Sequence, residues 1–312
     1  SIRGSSVLPG AAGDFGSSLA GPGDTDGDGL LEVVVGAPAS DARINNSGAI
    51  HFFDLSASGA AVGSAQIINA ASSGVPIAPK PNPNFDNYGK SMAALGDLNG
   101  DGFPEVAVGA PLDDDGATDA GAVWIHFLRA GLDGTRVNKI SAVQDGLPLG
   151  AGDRFGSTLA FLGDLDGNGA GDLAVGAPSA SGRGSIHVFF LKTNGELLSS
   201  RRLPGQDVTG SGNGVGSALT CLGDLDGEGN PELAVSDGAG HIFILFLAAD
   251  GSIRSQHPLG GYTGTSLSWM GRAADSGRRF LAAASGSTLS RIELDSAGNA
   301  LSSTSIVGVF SG

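Results

Sequence analysis

The sequence is poor in charge, in aromatic rings and in cysteine. Only 16% of its 312 residues are Asp, Glu, Lys or Arg, and only 6% are aromatic. Cys221 is the single cysteine, so no intrachain disulfide can staple the fold. No apolar run approaches the roughly 18 residues of a membrane-spanning helix. No stretch of useful length keeps the 3.6-residue spacing of an amphipathic helix. Basic residues are few: 17 Lys and Arg face 32 Asp and Glu, giving a formal net charge of −15. Such a chain cannot neutralise phosphates, so nucleic acid is not an expected partner. The opening Ser1-Ile2-Arg3 has no signal-peptide character, and the chain reads as a mature or excised soluble region.

Glycine, by contrast, is abundant, with 54 residues placed at fixed points among Val, Ile, Leu and Phe. One pattern returns along the chain. Its first copy runs Phe15-Gly16-Ser17-Ser18-Leu19-Ala20, then an acidic loop, then Glu32-Val33-Val34-Val35-Gly36-Ala37-Pro38. The second starts at Tyr88-Gly89 and closes on Gly109-Ala110-Pro111; the third starts at Phe155-Gly156 and closes on Gly176-Ala177-Pro178. The fourth starts at Val215-Gly216 and has Ser236-Asp237-Gly238 where Gly-Ala-Pro stood. A fifth, near residue 263, keeps a first strand over 264–271 and a second over Phe280–Ala284. Each copy is followed by a strong apolar run (48–53, 121–128, 184–191, 240–247) and then a weaker one, such as Ala65-Gln66-Ile67-Ile68.

Four short strands bounded by Gly, Asp, Asn and Pro turns form one blade of a β-propeller. The expected fold is therefore all-β, a single propeller domain over 1–312 built of four-stranded antiparallel blades, with the fifth unit degenerate. Two sandwich domains would not explain the same loop in every unit. Residues 1–14 and the tail 302–309 both resemble outer strands, and one of them is expected to pair with the last blade, since an open edge invites aggregation.

The acidic loops carry the chemistry. They are Asp24-Thr25-Asp26-Gly27-Asp28-Gly29-Leu30-Leu31-Glu32, Asp97-Leu98-Asn99-Gly100-Asp101-Gly102-Phe103-Pro104-Glu105, Asp164-Leu165-Asp166-Gly167-Asn168-Gly169-Ala170-Gly171-Asp172 and Asp224-Leu225-Asp226-Gly227-Glu228-Gly229-Asn230-Pro231-Glu232. Oxygen-bearing side chains stand at positions 1, 3, 5 and 9, and the carbonyl of position 7 (Leu30, Phe103, Ala170, Asn230) can add another ligand. Alternate side chains of a curled loop point at one centre. Calcium takes six to eight oxygens and tolerates flexible loops, whereas magnesium demands a strict octahedron. Zinc is disfavoured because no Cys or His lies in the loops. Asp-Gly and Asn-Gly also form ordinary hairpin turns, so one such loop would mean little; four with the same positions point to metal. Fourteen of the 32 acidic residues sit at these positions, and about four Ca²⁺ per chain would bring the formal charge from −15 to about −7. The fifth unit has Arg272 at the first Asp position, so no ion is expected there.

Phe-Gly, the nine-residue acidic loop and Gly-Ala-Pro together resemble the FG-GAP repeat of integrin α-subunit β-propellers, well over 15–247 and weakly over 263–309. The resemblance implies calcium in the loop between the first and second strands of a blade, and protein ligands or a partner subunit on the opposite face and rim. Similar repeats occur in fungal lectins and in a glycosylphosphatidylinositol-specific phospholipase.

The expected function is extracellular or cell-surface protein recognition or adhesion, without catalysis. The alternatives are a lectin-like sugar binder, a hydrolase and an architectural module. Rows of weakly selective calcium sites suit extracellular calcium. His51 and His187 fill the matched third-strand position held elsewhere by Trp124 and Phe243, which indicates packing. Cys221 lies in an apolar strand, as an inert buried thiol would. Asn45-Asn46-Ser47 is a glycosylation sequon in an expected loop. Long connections between second and third strands, or from one unit to the next, cover 39–47, 112–120 and 70–87. Binding residues concentrate on such loops, which nominates Lys80, Asn84, Phe85, Asp113, Asp114 and Asp115 for partner contact.

Overall fold

The structure is a computed structural model that describes residues 13–25, 27–40, 48–69, 86–128, 136–210 and 213–307. The chain is all-β, built as five four-stranded antiparallel sheets, the blades of a β-propeller. The first holds β1 (Ser18–Gly23), β2 (Leu31–Ala37), β3 (Ala49–Leu55) and β4 (Ala61–Asn69). The second holds β5 (Ser91–Gly96), β6 (Glu105–Ala110), β7 (Ala122–Phe127) and β8 (Arg136–Ile140). The third holds β9 (Thr158–Gly163), β10 (Asp172–Ala177), β11 (Ser185–Leu191) and β12 (Leu197–Pro204). The fourth holds β13 (Ala218–Gly223), β14 (Glu232–Ser236), β15 (His241–Leu247) and β16 (Ile253–Thr263). The fifth holds β17 (Ser266–Arg272), β18 (Arg279–Ser285), β19 (Thr288–Leu294) and β20 (Ala300–Val307).

In every sheet the strands pair in chain order, so each repeat is one blade. The expected tail strand is β20, which pairs with β19 inside the fifth blade. The other candidate for an outer strand, at the N-terminus, lies outside the described residues except for Gly13 and Asp14. Among the described residues two short α-helices interrupt the strands. In the first, α1 (Ala142–Asp145), the Ser141 hydroxyl accepts from the Gln144 N–H and Gly146 closes the helix in a left-handed conformation. The second is α2 (Gly205–Thr209).

The chain divides into two compact units, one of Ser1–Leu159 with Leu191–Leu197 and one of Ala160–Phe190 with Leu198–Gly312. In the first, Val34, Ile50, Phe52, Tyr88, Val106, Val108 and Trp124 form a buried cluster. In the second, Ile186, Val188, Leu233, Val235 and Leu245 form one cluster, and Leu222, Ile244, Phe246, Leu281 and Ile292 another. The middle strands β6, β10 and β11 are buried at every residue, so their apolar runs are continuous rather than alternating.

Register confirms the matched large residues: His51 faces Val35, Trp124 faces Val108, His187 faces Val175 and Phe243 faces Val235. His51 and His187 are both buried, and burial lowers their pKa, to about 4 for His187, where the nearby Arg202 charge adds to the effect. The Cys221 thiol, mostly buried in β13, is pushed up by that burial.

The Phe-Gly and Gly-Ala-Pro elements of successive repeats meet. A Cβ on Gly36 would come within 2.1 Å of the Gly89 carbonyl oxygen, and one on Gly109 within 2.1 Å of the Gly156 oxygen. No side chain fits such an approach. Ser18 and Ser91 donate their hydroxyls to the same two carbonyls, each at 2.7 Å. A parallel bridge joins Gly48 to Tyr88, Gly121 to Phe155 and Gly184 to Val215. Cβ atoms on these three glycines would lie 2.0, 2.0 and 2.3 Å from the facing carbonyl oxygen; at Gly240 the nearest atom is 3.5 Å away. The tight junction thus loosens where Gly-Ala-Pro becomes Ser-Asp-Gly.

This packing is open to test at two places. Gly109→Ala drives a methyl into the Gly156 carbonyl and should cost about 1–3 kcal/mol in chemical denaturation, while Gly21→Ala, with open space around it, should stay within about 0.5 kcal/mol. The second place is His126, fully buried beside the Tyr88 hydroxyl at 2.7 Å, whose pKa burial lowers to about 3. Below pH 6.5 the unfolded chain takes up a proton there that the folded chain refuses until about pH 3. This residue's contribution to stability therefore falls as pH drops, by about 2 kcal/mol at pH 5. The melting-temperature gap between pH 7 and pH 5 should shrink in His126→Gln; an unchanged gap would clear His126 of the effect.

Candidate metal centres

Each acidic loop is the connection between the first and second strands of blades one to four. The first Asp builds the loop. Asp24 takes the N–H groups of Gly27 and Gly29 at 2.7 and 2.9 Å, one on each oxygen. Asp97 takes those of Gly100, Asp101 and Gly102 at 2.7, 3.1 and 2.9 Å. Asp164 takes those of Asn168 and Gly169, both at 2.9 Å, and Asp224 those of Gly227 and Gly229 at 2.7 and 3.1 Å. Each carboxylate curls its loop over itself. The curl needs left-handed backbone at positions 4 and 6, where φ is 80° and 85° at Gly27 and Gly29, and 89° and 92° at Gly227 and Gly229. Both glycines of the loop serve this curl.

The last acid is buried and anchors the loop to its strand. Glu32, Glu105, Asp172 and Glu232 are at most 4% exposed. One oxygen of each accepts the N–H of position 2: Thr25 for Glu32, Leu98 for Glu105 at 2.5 Å, Leu165 for Asp172 at 2.8 Å and Leu225 for Glu232 at 2.5 Å. In Glu105 and Glu232 the other oxygen faces the loop. In Glu232 this Oε1 is buried without a hydrogen-bond partner, and in Glu105 it accepts the Asn99 side-chain amide at 3.1 Å. Burial, helped by the loop's Asp residues, raises the pKa of Glu105 and Glu232 to about 7. A buried carboxylate in this state calls for a positive neighbour.

Carboxylates converge in three loops. Asp24, Asp28 and Glu32 bring ligand atoms within 4.8 Å of one another, as do Asp164, Asp166 and Asp172, and Asp224, Asp226 and Glu232. In the second loop Asn99 reaches both Asp101 Oδ2 and Glu105 Oε1 at 3.1 Å, so Asp101, Asn99 and Glu105 are already gathered. Position-5 side chains fold back onto the N–H of position 7: Asp28 on Leu30 at 2.7 Å, Asp101 on Phe103 at 2.9 Å and Asn168 on Ala170 at 2.7 Å. An all-oxygen donor set of this kind fits a hard divalent cation. Asp26 lies outside the described residues.

The residues nominated for partner contact fare differently. Lys80, Asn84 and Phe85 lie outside the described residues, as does the sequon 45–47. Asp113 is buried and paired with Lys139 Nζ at 2.8 Å; Asp115 meets the same ammonium at 2.5 Å and the Ser141 hydroxyl at 3.4 Å. Lys139 also lies over the Trp124 ring, its cross-strand neighbour, at 5.0 Å. Asp114 accepts the Asp119 N–H at 2.9 Å. These three acids brace the β6–β7 loop from within the blade. Only the β7–β8 register, which puts Lys139 opposite Trp124, reveals that role.

The FG-GAP repeat family matches residues 15–53, 88–126 and 155–189, in the first three blades. Among curated proteins the chain is similar to integrin α subunits. It is 36% identical to integrin alpha-PS5 of Drosophila melanogaster over 169 residues, which is 52% of this chain and 16% of that protein. It is 36% identical to human integrin alpha-7 over 163 residues, 52% of this chain and 12% of that protein. With mouse integrin alpha-3 it shares 29% identity over 223 residues, 69% of this chain and 19% of that protein. The chain thus spans under a fifth of the length of these relatives. No helix among the described residues is long and apolar enough to cross a membrane.

Since the first Asp folds the loop with or without an ion, Asp164→Ala should lower stability in chelator by about 1–3 kcal/mol, the cost of leaving loop N–H groups without their acceptor. Asp164→Asn should lose less, as one oxygen remains. Equal denaturation curves for wild type and Asp164→Ala would contradict this role.

Proposed function

We propose that the protein is an extracellular calcium-stabilised recognition module, holding calcium in the acidic loops and meeting a protein partner through surfaces the blades keep rigid. The supporting observation is the convergence of buried and exposed carboxylates at matched positions in successive FG-GAP repeats. In the first loop Asp24, Asp26, Asp28 and Glu32 are the ligands, in the second Asp97, Asn99, Asp101 and Glu105, and in the third Asp164, Asp166, Asn168 and Asp172. The carbonyls of Leu30, Phe103 and Ala170 complete these sets. Bound calcium supplies the positive charge that the buried acids lack. The residues themselves hold the loop curled, bring the acids beside one another and join the first strand of the blade to its second.

The partner surface in this reading is formed by the second-to-third-strand connections and the 70–87 segment, opposite the calcium loops. Lys80, Asn84 and Phe85 supply its contacts, while Asp113–Asp115 shape the adjoining loop. Similarity to integrin α subunits supports a protein partner, at the cell surface or outside the cell.

Ligands that bind only the native state raise its stability by mass action. Chelation should therefore lower the melting temperature, and saturating calcium should restore it. Asp24→Ala should lose one calcium per chain by metal counting. Binding to a panel of extracellular glycoproteins should fall on shortening 70–87 without a change in melting. A melting curve insensitive to chelator after verified metal removal would reduce the loops to turns.

A further inference from the structure

The fourth loop departs from the other three at two points that lie close together. Its position-5 residue is Glu228, one methylene longer than Asp28, Asp101 or Asn168. Glu228 does not join the converged acids Asp224, Asp226 and Glu232, and it makes no bond to the N–H of Asn230, where the shorter residues each cap position 7. The second departure is a cation. Arg254 Nη2 lies 2.7 Å from Asp226 Oδ2 and 3.9 Å from Glu232 Oε1, the buried oxygen without a hydrogen-bond partner.

The backbone aims this arginine. In the β15–β16 pair, Leu247 faces Ile253 and Phe246 faces Ser255, so Arg254 is the extra residue of a bulge. Bulges redirect a side chain, and the β15–β16 turn emerges at the same end of the blade as the β13–β14 loop. The turn hydrogen bonds put Val62, Leu198 and Leu301 at the same place in blades one, three and five; in the second blade Arg136 faces Phe127 as Ser255 faces Phe246, so the counterpart of Arg254 lies outside the described residues. In blades one and three, where position 5 keeps the shorter Asp28 and Asn168, that place is apolar.

We propose that Arg254 is the built-in cation of the fourth loop, closing it by a salt bridge so that this loop takes no calcium. The proposal rests on calcium binding by the other loops. The guanidinium is permanently charged and planar, suited to holding a carboxylate in a fixed direction. A divalent ion among Asp224, Asp226 and Glu232 would meet this fixed positive charge a few ångströms away and would have to displace it from Asp226. One loop would then remain closed when calcium is scarce, while its neighbours loosen.

The test is calcium counted per chain by equilibrium dialysis and metal analysis, with melting in chelator measured in parallel. Arg254→Leu combined with Glu228→Asp should bind one more calcium per chain than wild type. In EDTA, Arg254→Leu should melt about 2–4 °C below wild type, and saturating calcium should recover that loss in the double variant. A wild-type count that falls by one in Asp224→Ala would show the fourth loop loaded despite the arginine and overturn the proposal. So would a double variant that gains no ion. No calcium in wild type or any variant would sink the calcium reading instead; the EDTA arm would still judge the arginine, and unchanged melting of Arg254→Leu there would refute its role.

Discussion

A carboxylate buried at the mouth of the second strand governs the acidic end of each of the first four blades. Glu32, Glu105, Asp172 and Glu232 each commit one oxygen to a backbone N–H, at almost no exposure to water. A carboxylate in such a place is stable only when protonated or beside positive charge, and burial raises the pKa of Glu105 and Glu232 accordingly. The rest of the loop answers that demand. Its first Asp curls the backbone, its glycines permit the curl, and its third and fifth positions deliver further oxygens. Fourteen of the chain's 32 acids are thus gathered where the fold can use them.

The other constraint is steric. Gly36 with Gly89, and Gly109 with Gly156, bring backbones closer than any side chain allows. This explains why Phe-Gly and Gly-Ala-Pro recur together: each half of the motif is the docking surface for the other half in the neighbouring repeat. Blade four keeps Gly216 but carries Ser236 in place of the motif's second glycine, and the approach at Gly240 relaxes to 3.5 Å.

Much of this was legible in the residue order. Strand runs, turn glycines and the four loops were readable because each has a local signature, and the matched third-strand residues fell in register as their spacing implied. What escaped were contacts made across strands. Asp113–Asp115 stood as candidates for partner contact on a long loop; Lys139, on β8, claims two of them through a pairing no local pattern encodes. Arg254 carried a signal that only alignment of the repeats exposes, a cation where Val62, Leu198 and Leu301 stand in blades one, three and five. The short helix after Ser141 was missed although Ser141 and Gly146 are its start and stop signals, because four residues carry no periodicity.

The glycine contacts also bear on how such an array can be cut and rejoined. Since one member of each pair lies in one repeat and its counterpart in the next, the sequence repeat and the mechanical module are out of phase. The segment that carries a complete interlocking surface runs from the middle of one sheet to the middle of its successor. Recombination at repeat boundaries would separate matched halves, whereas exchange between the first and second strands would keep each glycine pair together. A chain that grew by duplication would accordingly tolerate drift on the outer strands and resist it at the joints, and Ser236 marks the joint where that resistance has eased.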